Sequence, residues 1–387
     1  MSIRPISAQT IFALLAAVFL LCAGPDQPAR AGGEDELAQG FFTMITEGGE
    51  VIFETAHTLT VGDEFIAEDN AHYRVSRVEG RRAIVQRVGV ADLASAAEEV
   101  AAQVGPQGEW RLFRRAGRGV IGIYQTHSDE SYRPTSGTSS KNWGDIYQVG
   151  KALKEGLEAE GYRVLWNRDN FAPHDGGAYH RSRRAAVQLL QEKPLALVDV
   201  HRDAGVPVSR YLTRLGGERA AKVTLVIGRQ NTNHWSNLSF AKALKYQADQ
   251  KKPGLVKGIL IAQGNYNQDL GPRALLMEFG TDANRLEEAQ RGARAIAAVF
   301  PAVLTPAGRP RGAAQQGRET ATGAGSAALL VVGALVLLGV FFLLNTSGRE
   351  LAHLLTLRGQ RERVGSDRRE KGEGEEEEGK GKAPGEV

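Results

Sequence analysis

Cysteine is nearly absent. The one residue of this type, Cys22, lies inside an N-terminal apolar stretch. A mature chain lacking that stretch has no thiol, which excludes disulfides and thiolate-held metals. His, Asp and Glu are then the side chains left to ligate a metal. Charge of one dominant sign is missing as well: 48 Lys+Arg stand against 45 Asp+Glu, a balance that by itself argues neither for nor against nucleic acid, and no nucleic-acid partner is expected. Long apolar runs are scarce, and the two that exist lie near the ends of the chain.

The first of these, Ile11–Ala23, follows Arg4 and precedes Ala29-Arg30-Ala31. That order reads as a secretory signal peptide over 1–31 with an Ala-x-Ala cleavage site, the alternative being an uncleaved anchor. The second, Ala327–Leu344, carries no charge and is just long enough to cross a hydrocarbon core of roughly 30 Å. Arg349, Arg358, Arg361, Arg363, Arg368 and Arg369 follow it, so the charged tail 346–387 is expected in the cytoplasm, after a transmembrane helix over 327–345. The intervening chain is then extracytoplasmic, on a single-pass membrane protein.

Between these segments the pattern changes once. Over 32–104, short alternating runs such as Glu50–Thr55 and Tyr73–Val78, punctuated by Gly and Asp, predict a small β domain closed by an Ala/Glu-rich helix. His57 and His72 sit in it without neighbouring metal-ligand partners and read as ordinary residues. A Gly/Pro-containing linker, 105–119, leads to a region over 120–303 in which apolar strands alternate with amphipathic helices. In the helix Asp145–Ala159, Ile146, Val149, Leu153 and Leu157 share one face. Strands as apolar as Pro194–Val200 and Lys222–Gly228 belong in a sheet covered on both faces. The expected fold is therefore α/β, a mostly parallel sheet with helices on both faces, with a Gly/Ala-rich linker, 304–326, before the membrane helix.

Candidate chemistry gathers at strand ends. His127 and Glu130 follow the strand Val120–Tyr124, His201 follows Pro194–Val200, and Glu278 ends the strand Ala274–Met277. If these strands are parallel, all four residues face one edge of the sheet, where α/β folds place their sites. His127, Glu130 and His201 would form a three-ligand set that leaves one position open, the catalytic form of zinc site. His127 and Glu130 can meet only if the chain bends between them. Asp145, His174 and His180 are alternatives to Glu130. Glu278 would carry the proton. Arg202 would polarise a carbonyl or bind a carboxylate, and Asp199 or Asp203 would orient His201. Asn231, Asn233 and Trp235, after the strand Lys222–Gly228, would contact substrate. Arg181, Arg183 and Arg184 read as a solvated helix face.

Those strings, Thr126–Tyr132, Asp199–Asp203, Asn237–Ala241 and Leu276–Thr281, resemble the stage II sporulation protein P family. The resemblance implies a zinc-dependent N-acetylmuramoyl-L-alanine amidase acting on peptidoglycan, with endopeptidase activity on cross-links as well. It also implies work at the septal membrane with stage II sporulation proteins D and M. His127 and His201 match the family's essential histidines. Two readings from other classes are a non-catalytic wall-binding scaffold and a zinc carboxypeptidase trimming stem peptides.

Overall fold

A computed structural model describes residues 36–37, 39–104 and 119–304. The signal peptide expected over 1–31 and the transmembrane helix and tail expected over 327–387 lie outside these residues. Among the described residues, no helix is long and apolar enough to cross a membrane.

The β region contributes β1 (Phe42–Thr46), β2 (Val51–Thr55), β3 (Glu64–Ile66), β4 (Ala71–Glu79) and β5 (Arg82–Val90). The α/β region contributes β6 (Val120–Tyr124), β7 (Arg163–Trp166), β8 (Ala196–Asp203), the hairpin β9 (Leu212–Leu215) and β10 (Glu218–Ala221), then β11 (Val223–Gly228), β12 (Val256–Ala262) and β13 (Ala274–Thr281). The two regions were expected as separate domains, yet they share one sheet of eleven strands in the order β2-β1-β5-β4-β3-β12-β11-β13-β8-β6-β7. The seam is β3 against β12, antiparallel, with Phe65 opposite Leu260. Phe65 is buried and stacks on Phe53 with ring centroids 4.0 Å apart.

β13, β8, β6 and β7 run parallel, as the apolar pattern predicts. β11 and β12 are parallel to each other but antiparallel to β13. This reversal moves the C-terminal end of β11 to the opposite edge of the sheet.

Alternation along the strands sorts the core into two faces. Ile121, Ile123, Val198 and Val200 pack with Ile146, Val149, Leu153 and Leu157, together with the helix Leu286–Ala297. On the other face Tyr124 and Leu197 meet Ala186 and Leu189 of the helix Ala178–Leu190. The remainder of that face is covered differently from expectation. Val226, Leu260 and Leu276 are buried under Met44, Phe53, Phe65 and Val85 of the β region. A strand needs apolar cover on both sides, and here a folded-over sheet supplies what a second helix would have supplied.

Candidate metal centre

Three adjacent parallel strands deliver the centre. β8 continues beyond Val200 to Asp203, so His201 lies within the strand rather than after it, directly beside Glu278 of β13 in register. On the other side of β8, Tyr124 of β6 pairs with Asp199, and the chain leaves β6 three residues before His127. Because β13, β8 and β6 point the same way, His127, His201 and Glu278 converge at one edge.

The required bend follows at once. The Glu130 N–H donates to the His127 carbonyl at 3.2 Å, and the Glu130 carbonyl accepts from the Ile146 N–H at 3.0 Å as the helix Ile146–Ala159 begins. Gly144 makes the turn possible, since a Cβ there would stand 2.1 Å from the Glu130 carbonyl oxygen. The Glu130 side chain thus turns inward, fully buried. Its Oε2 accepts from the Arg202 N–H at 2.9 Å. Its Oε1 lies 3.4 Å from His127 Nδ1 and 3.4 Å from His201 Nδ1.

Those separations decide what the cluster can hold. They exceed the roughly 2.7–3.2 Å of a good N–H···O bond, and these three atoms make no hydrogen bond within the protein while fully buried. Two atoms each about 2.0–2.1 Å from one tetrahedral ion stand about 3.4 Å apart. Each nitrogen–oxygen pair is therefore spaced as two ligands of one divalent ion, and the ligand atoms that face one another fall in two groups, Glu36 with His127, Glu130 and His174, and Glu36 with His201 and Glu278.

Electrostatics agree. Burial works against a charged Glu130, but His201, Arg202 and His127 outweigh it and hold the carboxyl down at about 2. Burial lowers the His127 pKa, favouring the neutral imidazole a metal needs. His201 is pushed the other way: burial opposes its charge, but Asp199 and Glu130 on either side overcome this. A point between two buried carboxylates is built for positive charge. Asp199 Oδ1 stands 3.0 Å from His201 Nε2 and accepts from the Thr126 N–H at 2.8 Å, while Oδ2 accepts from the Thr126 hydroxyl at 2.6 Å.

Of the two aspartates offered for orienting His201, Asp203 is placed otherwise. It accepts from the Ala56 N–H at 2.7 Å and the Tyr211 hydroxyl at 2.6 Å, tying the β region to β8. Arg202 also avoids pairing with Asp203. Its Nη2 donates to the Ser139 carbonyl at 2.8 Å, while Nη1, buried and without a hydrogen bond, stands 3.8 Å from Glu130 Oε1.

Asn231, Asn233 and Trp235 are not brought to the centre. Because β11 runs antiparallel to β13, they lie at the opposite edge. Asn231 donates to the Gly228 carbonyl at 2.6 Å and Asn233 to the Asp269 carbonyl at 2.8 Å, while Trp235 is 77 % exposed. Asp145 is occupied by Lys141 and Ser136, at 2.7 and 2.6 Å, and His180 is exposed. His174 does join the cluster, stacked on His127 at 3.8 Å, but Asp129 at 3.1 Å and Glu36 at 3.5 Å engage its two nitrogens. Arg181 and Arg183 pair with Asp175 and Asp269 on the protein's own surface.

Two members of the site carry no sequence signal, and both come from the β region. Glu36, opposite His57 in an isolated bridge, brings its carboxylate into reach of His127, Glu130 and His174, and also of His201 and Glu278. His57 Nε2 lies 2.9 Å from Glu278 Oε1. Both lie far along the chain from His127, His201 and Glu278, so folding makes them partners.

Fold and site together define an α/β protein with a buried His/Glu constellation of metal-binding type at the C-terminal ends of parallel strands. The family model of stage II sporulation protein P matches residues 79–301, and the chain belongs to that family. It is 34% identical over 201 residues to stage II sporulation protein P of Bacillus subtilis (strain 168), across 47% of this chain and 50% of that one, so it spans about half the length of this relative. Among solved structures it is similar to an N-acetylmuramyl-L-alanine amidase from Mycobacterium smegmatis at 16% identity and a TM-score of 0.33, covering 48% of this chain and 96% of the other. It is also similar to an N-acetylmuramoyl-L-alanine amidase from Clostridium difficile 630 at 14% identity and a TM-score of 0.33, covering 49% and 98%. These two likenesses are loose.

Proposed function

We propose that this protein is a zinc-dependent N-acetylmuramoyl-L-alanine amidase that cuts peptidoglycan during sporulation. The observation that carries the reading is the position of Glu130 Oε1, 3.4 Å from a nitrogen of each of two buried histidines. His127, Glu130 and His201 would hold the metal. Zinc supplies Lewis acidity, lowering the pKa of water to about 7 and polarising a carbonyl.

The chain's own groups do the rest. Burial pushes the Glu278 carboxyl up to about 7, against the pull of His57. A carboxyl poised there can take a proton from the attacking water and return it to the leaving L-alanine nitrogen with little cost in either direction. Its Oε2 is buried and makes no hydrogen bond within the protein, so it is free for that exchange. Arg202, its fork held by backbone carbonyls, offers Nη1 to a substrate carbonyl or carboxylate. His127, Tyr179 and Arg202 line a cavity of about 240 Å³. That is below the roughly 300 Å³ where small-ligand pockets begin. It suits the scissile lactyl–alanyl amide and its immediate neighbours rather than a whole disaccharide.

The family membership supports the sporulation setting, and the two apolar runs Ile11–Ala23 and Ala327–Leu344, read as a signal peptide and a membrane helix, support a catalytic region held outside the cytoplasmic membrane. Stage II sporulation proteins D and M are the proposed partners. Full-length protein with zinc should release stem peptides bearing a free L-alanine amino terminus, identified by mass spectrometry, and His201→Ala should abolish this. Hydrolysis retained in His201→Ala would sink the reading. Trimming of terminal residues alone would indicate a carboxypeptidase, and wall binding without any product a scaffold.

A further inference from the structure

The β region does more than cover a sheet face. His57 lies outside residues 79–301, where the family model matches, yet its ring meets Glu278 at the heart of the site. Both side chains are 1 % exposed. Glu278 Oε1 is taken by His57, while Oε2 is buried and makes no hydrogen bond within the protein. Glu278 lies with His201 and Glu36 in one group of facing ligand atoms.

We infer that His57 is a positioning residue for Glu278, holding one carboxylate oxygen so that the other is presented to the reacting water. The inference rests on the role given to Glu278 in the proposed hydrolysis. The physical need is plain. The terminal torsion of a glutamate is broad and roughly two-fold, so an untethered carboxylate turns and spends part of its time with neither oxygen aimed at the proton it must take. A site of this kind needs its groups within about 0.5 Å of the productive geometry.

His57 is itself held in place. Its N–H donates to Thr55 Oγ1 at 3.1 Å, and the N–H of the preceding Ala56 donates to Asp203 Oδ1 at 2.7 Å. Asp203 lies two residues after His201 on β8. The strand that carries one proposed metal ligand therefore also anchors the loop that carries the carboxylate's partner. The ring of Tyr266 stands edge-on to His57 at 6.2 Å. This gives Asp203 a purpose other than orienting His201.

The test uses the full-length zinc-loaded protein with peptidoglycan and, separately, the metal-free protein. His57→Ala should lower kcat by roughly 10–100-fold, the usual effect of losing such a supporting partner, with KM and bound zinc unchanged. His57→Gln, whose amide N–H can reach the same oxygen, should recover part of the loss. In the metal-free protein labelled with 15N-histidine, the His57 Nε2 proton should give a downfield hydrogen-bonded resonance that disappears in Glu278→Ala. Unchanged kcat in His57→Ala, beside an inactive Glu278→Gln, would overturn this inference and leave the amidase reading standing. Equal loss in His57→Ala and His57→Gln, tracking a fall in Tm, would overturn it as mere scaffolding. Full hydrolysis by Glu278→Gln would remove both the inference and the role of Glu278 beneath it.

Discussion

The backbone N–H of Arg202 donates to Glu130 Oε2 at 2.9 Å, which leaves Oε1 facing the two histidines. One carboxylate oxygen is spent on orientation and the other is kept for a ligand. Glu130→Gln keeps the shape but removes the charge, and should lower zinc affinity by more than the roughly 10–100-fold typical of a supporting residue. Asp199→Asn, which loosens His201, should fall within that range. Glu36→Gln should cost less affinity than Glu130→Gln, because its carboxylate stands 3.9 Å from His127 Nδ1 where that of Glu130 stands at 3.4 Å. Competition with a chelator measures all three. A large loss in Glu36→Gln with none in Glu130→Gln would exchange their roles.

Activity should rise with pH through about 7. Glu278 takes a proton only when ionised, and burial holds its pKa at about 7, above its ordinary value, despite the opposing pull of His57. Below that pH the carboxyl is protonated and idle, so kcat/KM should fall about tenfold per pH unit on the acid side. A pH–rate profile checks this. An acid limb near the ordinary carboxylate value of 4.5 would remove Glu278 from the role.

Lys257 gives a prediction about stability instead. Burial pushes its amine down to about 7, while the rings of Tyr211 at 3.6 Å and Phe53 at 4.7 Å face its Nζ. Its folded pKa is depressed, so the cost of burying the charge is present in full below about pH 7, where folded and unfolded chains both hold the proton. That cost shrinks as pH rises toward the ordinary value of 10.5. Lys257→Met should therefore stabilise the protein by roughly 2–4 kcal/mol at pH 6, with the gain fading by pH 10. Thermal unfolding at the two pH values decides it, and a gain independent of pH would refute the account.

Gly144→Ala should damage the site without touching a ligand. The added Cβ would meet the Glu130 carbonyl at 2.1 Å and the Asp129 carbonyl carbon at 2.5 Å. These are backbone atoms that cannot swing aside, so the turn must open. The expected cost is about 1–3 kcal/mol, accompanied by weaker zinc binding as Glu130 moves. Denaturant unfolding and metal titration of the same variant would show whether the two losses occur together.

The sequence by itself determined the α/β alternation and the polar ligand closing each of three apolar strands, so that His127, His201 and Glu278 would meet if β6, β8 and β13 ran parallel. The apolar run and the residue that ends it are local features; the shared direction of the three strands is set by their pairing in the sheet. It also required the bend at Glu130, since His127 and Glu130 could not otherwise face one point. Only the tertiary structure decided the rest. The reversal of β11 depends on which strand it pairs with, and that single choice carried Asn231, Asn233 and Trp235 to the far edge. The choice between Asp199 and Asp203 turned on Ala56 and Tyr211 claiming the latter. His57 and Glu36 became part of the site because β3 pairs with β12, folding the β region over the open face of the sheet. A contact between His57 and Glu278, 221 residues apart, has no period or spacing to announce it. It exists because one apolar sheet face needed covering, and the segment that covered it brought a histidine along.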